Sequence, residues 1–296
     1  MKKILNAVIA ALMLILLASC TGKTNTAVVP AIEFASPGAE EIATPEMASS
    51  IKLNSTTMQV YYIDVPDGET MFKEFNSVPE IASGDVELVR KTDDGYWMYK
   101  AGEGTLLIDT SAGSWTYSTP LPSDAPDNMP TDAQAQQIAA KEIADSGLKI
   151  GSTSDSGVLS YTTDGDEKIL QKDVIFYPTV DGKNVYGIFR TTVGIGEGGK
   201  TVYFSKQSFE PKAGGEVKLK SIDEVKQSLS KGEFVSNAAG TAGTATITDY
   251  ELCYYCDGVA KDGKLYVQPV YVFSAEINNE GESKQIKVFV DAASQT

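Results

Sequence analysis

The most specific chemical pattern in the chain is Gly194-Ile-Gly-Glu-Gly-Gly-Lys-Thr201, which fits G-x-x-x-x-G-K-[ST]. Such a loop binds phosphate when its backbone N–H groups converge and a helix begins at the Lys-Thr pair. Here Lys200-Thr201 continues into Val202-Tyr203-Phe204, and strand-like residues also precede the glycines. The segment is therefore expected as a hairpin tip, with no nucleotide. Cys253 and Cys256 form a C-x-x-C. A redox pair of that spacing needs a helix start to lower one thiol pKa, and a zinc site wants four ligands. The flanking Leu252, Tyr254 and Tyr255 point to a strand instead. Core or turn cysteines are expected, with a structural disulfide as the alternative. In a straight strand, positions three apart face opposite sides about 10 Å apart, beyond the roughly 7 Å limit of a disulfide. The densest carboxylates are Asp164-Gly-Asp-Glu167 and the set Asp124, Asp127 and Asp132. Neither completes a calcium loop, so solvated loops are expected. The chain contains no histidine, which removes nucleophile–His pairs and His-ligated metals together. A carboxylate pair or a Ser/Lys pair would survive, but spacing singles out neither. No catalytic residue, metal or cofactor is expected.

The third cysteine has a different context. Lys2 and Lys3 precede an apolar run from Ile4 to Leu17, which ends in Leu17-Ala18-Ser19-Cys20. A charged segment followed by a short apolar one reads as a signal peptide. Its end resembles the lipobox of prokaryotic lipoproteins. That resemblance implies cleavage before Cys20 and a diacylglycerol on its thiol, with further acylation of the new amino group. Several acyl chains on one residue hold a protein stably to a bilayer. Cleavage would remove Lys2 and Lys3 and no acid, moving the formal charge from −15 to −17. That balance argues against nucleic acid, which is bound by Lys/Arg clusters. The expected location is the extracytoplasmic face of the cell membrane, with the bilayer as first partner.

These residues need a scaffold to position them. With 42% hydrophobic and 9% aromatic residues over 296 positions, a core is affordable. Residues 20–50, punctuated by Pro30, Pro37 and Pro45, read as a lipidated disordered tether reaching roughly 30 Å. Residues 51–122 read as a small β-rich module. Val60–Ile63, Glu87–Arg90, Tyr96–Lys100, Thr105–Ile108 and Ser114–Ser118 are strand-like between glycine turns, and Gly68–Phe75 offers a short helix. From 131 to 296 an α+β region is expected, either whole or as two repeats, 131–210 and 221–296. Each repeat opens with a capping box, Thr131-Asp-Ala-Gln134 or Ser221-Ile-Asp-Glu224, followed by an apolar stripe and a stop glycine, Gly147 or Gly232. Strands follow at Val158–Thr162, Asp173–Tyr177, Val185–Val193 and Thr201–Phe204, then at Thr246–Tyr255, Lys264–Ile277 and Ile286–Asp291. Leu265, Val267, Pro269, Tyr271, Phe273, Ala275 and Ile277 alternate onto one face, as in a half-buried antiparallel sheet. The expected fold class is α+β, with helices packed on antiparallel sheets.

From Pro130 onward the chain resembles YycH/YycI-type regulatory ectodomains and PepSY-like modules. The resemblance rests on the helix ending at Gly147, the Val180-Asp-Gly-Lys-Asn-Val-Tyr-Gly187 hairpin and Gly263-Lys-Leu-Tyr-Val-Gln-Pro-Val-Tyr-Val-Phe273. It implies a helix-on-sheet module, possessing no enzymatic activity, that binds and modulates an envelope or membrane protein. Members of that regulatory family are often held by a transmembrane helix, whereas this chain has the lipobox-like Cys20. The alternative is an envelope hydrolase or solute-binding lipoprotein with a carboxylate-lined site. Tyr254, Tyr255, Tyr266 and Tyr271 could form a recognition surface, but alternation predicts half of them in the core.

Overall fold

The computed structural model describes residues 29–32, 34, 44–82, 84–123, 126–150, 152–153, 157–162, 169–237, 244–279 and 282–294. Two sheets carry the fold. The larger contains β1 (Glu46–Met47), β2 (Thr57–Asp64), β7 (Ser152–Thr153), β10 (Pro178–Val180), β11 (Lys183–Gly187), β14 (Lys212–Lys218), β15 (Val235–Ser236), β16 (Thr244–Cys256), β17 (Lys264–Asn279) and β18 (Glu282–Asp291). The smaller runs in the order β3 (Val86–Lys91), β4 (Tyr96–Ala101), β5 (Gly104–Asp109), β6 (Ser114–Ser118), β13 (Thr201–Gln207), β12 (Thr191–Ile195), β9 (Ile169–Phe176) and β8 (Gly157–Thr162). Among the described residues three α-helices accompany them: α1 (Gly68–Asn76), α2 (Asp132–Ser146) and α3 (Ile222–Ser230). None among the described residues is long and apolar enough to cross a membrane.

Local signals set the helix ends. Both capping boxes form: the Thr131 and Ser221 hydroxyls accept from the Gln134 and Glu224 amides, and the Gln134 and Glu224 side chains reach back. Gly147 closes α2 in the left-handed conformation that costs glycine little. Ala135, Ala139 and Ile143 of α2 join Met71 and Phe75 of α1 in one core with Leu106, Trp115, Val193 and Phe204 of the small sheet. Val225 and Leu229 of α3 enter a second core with Val267, Tyr271, Phe273 and Val288 of the large sheet.

Strand β17 organises the large sheet. It pairs with β16 along one edge, while its other edge is shared by β2 at Lys264–Val267 and β18 from Val270 onward. Pro269 sits between those two neighbours and its carbonyl accepts from the Ala292 amide. In a strand the N–H and C=O of one residue point to the same side, so the missing proline donor falls where no ladder bond is due.

The expected α+β class is corrected to a mainly β architecture. Strands dominate, and the helices of 9, 15 and 9 residues are short covers. The reason is non-local pairing, which helix-then-strand order does not reveal. The stretch 51–122 supplies β2 to the large sheet and β3–β6 to the small one, and both sheets are completed by strands beyond Thr131. Val185–Val193, read as one strand, is two. β11 lies in the large sheet, β12 in the small, and residues 188–190 cross between them. β14 carries a Gly-Gly pair and went unanticipated; it adds to β2 with a register shift at Ala213/Gly215. The segment expected as a disordered tether is partly ordered. Val29 and Ile32 are buried, Phe34 packs edge-on to Tyr255 at 5.1 Å, and β1 pairs in parallel with β16.

Candidate functional site

The Gly194–Thr201 segment forms the tip of the β12–β13 hairpin. A single 3-10 turn spans Glu197–Gly199, and β13 begins at Thr201. The amides of Gly196, Gly198, Gly199 and Lys200 donate to the carbonyls of Lys200, Asn128, Gly196 and Glu197. They satisfy the turn and its neighbour, and no helix dipole faces outward. This is hairpin geometry, as the flanking residues foretold.

Cys253 and Cys256 are both free and buried in β16. Cys253 lies under Val270, Val272, Tyr255 and Phe289 on one face, and Cys256 in the main core on the other. Burial pushes the Cys253 thiol up to about 11, with neighbouring Glu251 adding to it, and the Cys256 thiol up to about 12. Both are held as unreactive thiols. Among the described residues no cluster of three or more Cys, Asp or Glu could hold a metal. Asp132 stands at the start of α2 and pairs with the buried Lys172 ammonium at 2.6 Å, while Asp127 is exposed. Cys20, Asp124 and Asp164–Glu167 lie outside the described residues.

The tyrosines divide by strand parity. Tyr254 and Tyr271 are core residues, Tyr266 packs partly against the core, and Tyr255 lies half-buried on the outer face. Tyr61 donates to Asp181 at 2.5 Å, and Tyr254 bonds the same carboxylate. Burial and that carboxylate push the Tyr61 phenol up to about 12. Asp181 is the tip of the two-residue β10–β11 turn, with φ of 50° followed by Gly182 at 70°. The two phenols thus pin the hairpin to β2 and β16.

The exposed apolar surface lies elsewhere. Seven large hydrophobic side chains are exposed among the described residues, and five of them belong to β3–β5: Leu88, Val89, Tyr96, Met98 and Leu107. Single exposed apolar residues are ordinary, whereas a contiguous group marks an interaction surface. Register places Tyr96, Met98 and Leu107 together on the outer face, while Leu88, opposite Tyr99, belongs to the reverse face at its margin. Met98 stands opposite Leu107 on one side and Arg90 on the other. A bulge between Leu88 and Arg90 turns Val89 outward at the free edge, where it is 61% exposed. The reverse face of the same strands, with Tyr99, Ala101, Leu106 and Ile108, is filled by α1. Sequence reasoning missed this surface, although Tyr96-Trp-Met-Tyr-Lys-Ala101 carries apolar residues at both parities. That two-faced pattern was the available signal.

The clefts among the described residues include three. One of about 420 Å³ lies beside Pro120, Leu121, Glu197 and Lys200, one of about 380 Å³ at the seam between the sheets, and one of about 260 Å³ beside Gln134 and Gly198. None of the three brings two carboxylates together.

No protein-family model matches this chain, and no curated protein matches it. Several solved structures share a broad likeness, among them the following two. An uncharacterized protein from Eubacterium rectale aligns at 10% identity over 82% of this chain and 85% of its own, with a TM-score of 0.48. The C-terminal domain of YpeB from Bacillus megaterium aligns at 14% identity over 79% of this chain and 96% of its own, with a TM-score of 0.35. At these scores neither likeness carries an argument about activity.

Proposed function

We propose that this protein is a non-enzymatic binding module, tethered to the extracytoplasmic face of the cell membrane through lipidated Cys20, that engages an envelope or membrane protein. One observation carries the reading: the apolar group Tyr96, Met98 and Leu107 on one sheet face, with Val89 at the adjoining edge strand. The occupant it fits is an apolar surface of another protein, met side chain to side chain. The bulge at Leu88/Arg90 makes the edge a poor template for backbone pairing. The placement of residues 29–32 and of Phe34 adds geometry. Only eight residues lie between Cys20 and Val29, a span of at most about 30 Å. The folded body is thus kept near the bilayer, within reach of membrane-embedded partners. The resemblance of the chain beyond Pro130 to YycH/YycI-type modules suggests that binding regulates the partner.

The test is photo-crosslinking in cells with the native anchor. A crosslinker at Met98 or Leu107 should capture a discrete envelope or membrane protein, and one at the exposed Lys226 of α3 should not. Equal capture at all three positions would refute the surface assignment. Only nonspecific capture, together with turnover of a glycan or peptide by the purified protein, would refute the binding-module reading. Cys20→Ala should leave the precursor unprocessed or release the protein from membranes; unchanged size and retention would remove the anchor.

A further inference from the structure

We infer that the outer face of the large sheet is a docking groove for an extended peptide, which the chain keeps filled with its own Ile32 and Phe34. The guest it fits carries an aliphatic residue and, two positions on, an aromatic one. This inference stands on different residues from the β3–β5 surface, and either can fail without the other. Register assembles the groove from four strands. On the outward parity β16 presents Cys253 and Tyr255, β17 presents Val270 and Val272, and β18 presents Phe289 opposite Val272. Tyr186 of β11 is the partner of Tyr255. A sheet with apolar residues on both faces needs a cover on each, and here rings supply the outer one. Tyr186, Tyr255 and Phe289 pack against Cys253, Val270 and Val272, with centroids 5.2 Å apart for Tyr186–Phe289 and 6.3 Å for Tyr255–Phe289.

Phe34 joins these rings from a segment whose described residues belong to no helix or strand. It meets Tyr255 edge-on at 5.1 Å and packs against the Cys253 group. Two residues earlier Ile32 is buried, and its amide donates to the Asp291 carboxylate, itself 8% exposed and opposite Val270. Side chains two positions apart reach one surface when a chain is extended. The segment is fastened before and after, by Val29 in the main core and by the pairing of β1 with β16. Between those fastenings Ala31 is exposed and Phe34 only half-buried. The chain thus carries on its own surface an example of the ligand this face takes. Aromatic rings left half-exposed, as Phe34, Tyr186, Tyr255 and Phe289 are, belong to the side chains enriched at interfaces.

One atom marks the fit of the resident segment as incomplete. Gln268 stands opposite Tyr255 on the same outward parity as Val270, is 2% exposed, and has no hydrogen-bond partner at Oε1. A buried acceptor left unsatisfied is costly, so a guest with a donor at that place is favoured over the resident. The resident has an opposing advantage, because attachment gives it an effective concentration in the millimolar range. The groove therefore stays closed to weak or dilute peptides and opens to a guest that satisfies Gln268.

The experiment uses the full chain in detergent micelles and a synthetic peptide of residues 28–36, with a control peptide carrying serine at the positions of Ile32 and Phe34. Thiol alkylation is followed residue by residue by mass spectrometry. Cys253 reports the groove, and Cys256, buried on the other face, reports the main core. Cover by either segment protects Cys253, so in the unaltered chain the peptide should slow its alkylation, with half-effect in the millimolar range set by the attached segment. Cys256 should be unaffected, and the control peptide should do nothing. Phe34→Ala loosens the resident, so Cys253 should react faster and the peptide should act at concentrations at least about tenfold lower; the milder Phe34→Leu should fall between. A peptide that leaves Cys253 unchanged in the unaltered chain up to about 10 mM, or a control peptide that acts equally, overturns the inference without reliance on any variant. Equal peptide affinity in all three chains overturns it as well, because the site would then not be the one that Phe34 fills.

Discussion

Lys206 in β13 is 2% exposed, yet it carries a charge. Its Nζ lies 2.9 Å from both carboxylate oxygens of Glu74 on α1, and the Trp115 indole donates to Oε2 of that carboxylate at 3.2 Å. The Glu74 side chain is 27% exposed, so the two partners differ in their access to water. Glu74→Gln leaves the ammonium buried without a countercharge, which should cost about 3–5 kcal/mol of stability. Lys206→Met removes the buried charge and leaves a partly solvated carboxylate still bonded to the indole, a loss of about 1–2 kcal/mol. The double variant Glu74→Gln/Lys206→Met should stay near the lysine variant alone, because the stranded ammonium is gone. Urea unfolding followed by tryptophan fluorescence is the appropriate assay. The only two tryptophans, Trp97 and Trp115, belong to β4 and β6 of the small sheet, where the ion pair sits. A glutamate variant no less stable than the lysine variant, or a double variant as unstable as the glutamate one, would refute the desolvation argument.

Two further outcomes are expected. Thiol titration of the native chain at pH 8 should be slow at Cys253 and Cys256, whose thiols burial pushes up to about 11 and about 12; after denaturation without reductant it should find two thiols, and finding none would mean the strand bends into a disulfide. Glu142 on α2 is buried with Oε1 unpartnered, and burial followed by the nearby Glu80 charge raises its carboxyl above the ordinary range. An acid raised on folding binds more protons when folded, so it contributes least stability above that range and its cost disappears as pH falls below the ordinary glutamate value. Glu142→Gln should therefore be more stable than the parent chain at pH 7, converging with it near pH 4; a gain independent of pH would exclude the charge as its cause.

Local chemistry was legible without the fold. A hydroxyl three residues before Glu or Gln, set ahead of a helical apolar stripe, is satisfied by bonds within its own turn, so Thr131 and Ser221 announced α2 and α3 correctly. Asp181-Gly182 and Asp262-Gly263 adopt the same pair of positive φ angles because that turn is decided by its own two residues. Parity in β17 foretold the burial of Leu265, Val267, Tyr271, Phe273, Ala275 and Ile277. Parity says which side of a strand is dry, however, and not what dries it. Which strands neighbour each other depends on contacts between residues distant in the chain. Thus β2 joins β14 and β17 across more than 140 positions, and β11 lies parallel to β16. Those pairings divided Val185–Val193 between two sheets and opened the seam cleft at the division. They also left β3 as an edge, exposing Val89, while Val193, equally apolar, is sealed under α2. Side-chain type was the same at both positions, and only the surrounding elements decided which one meets solvent.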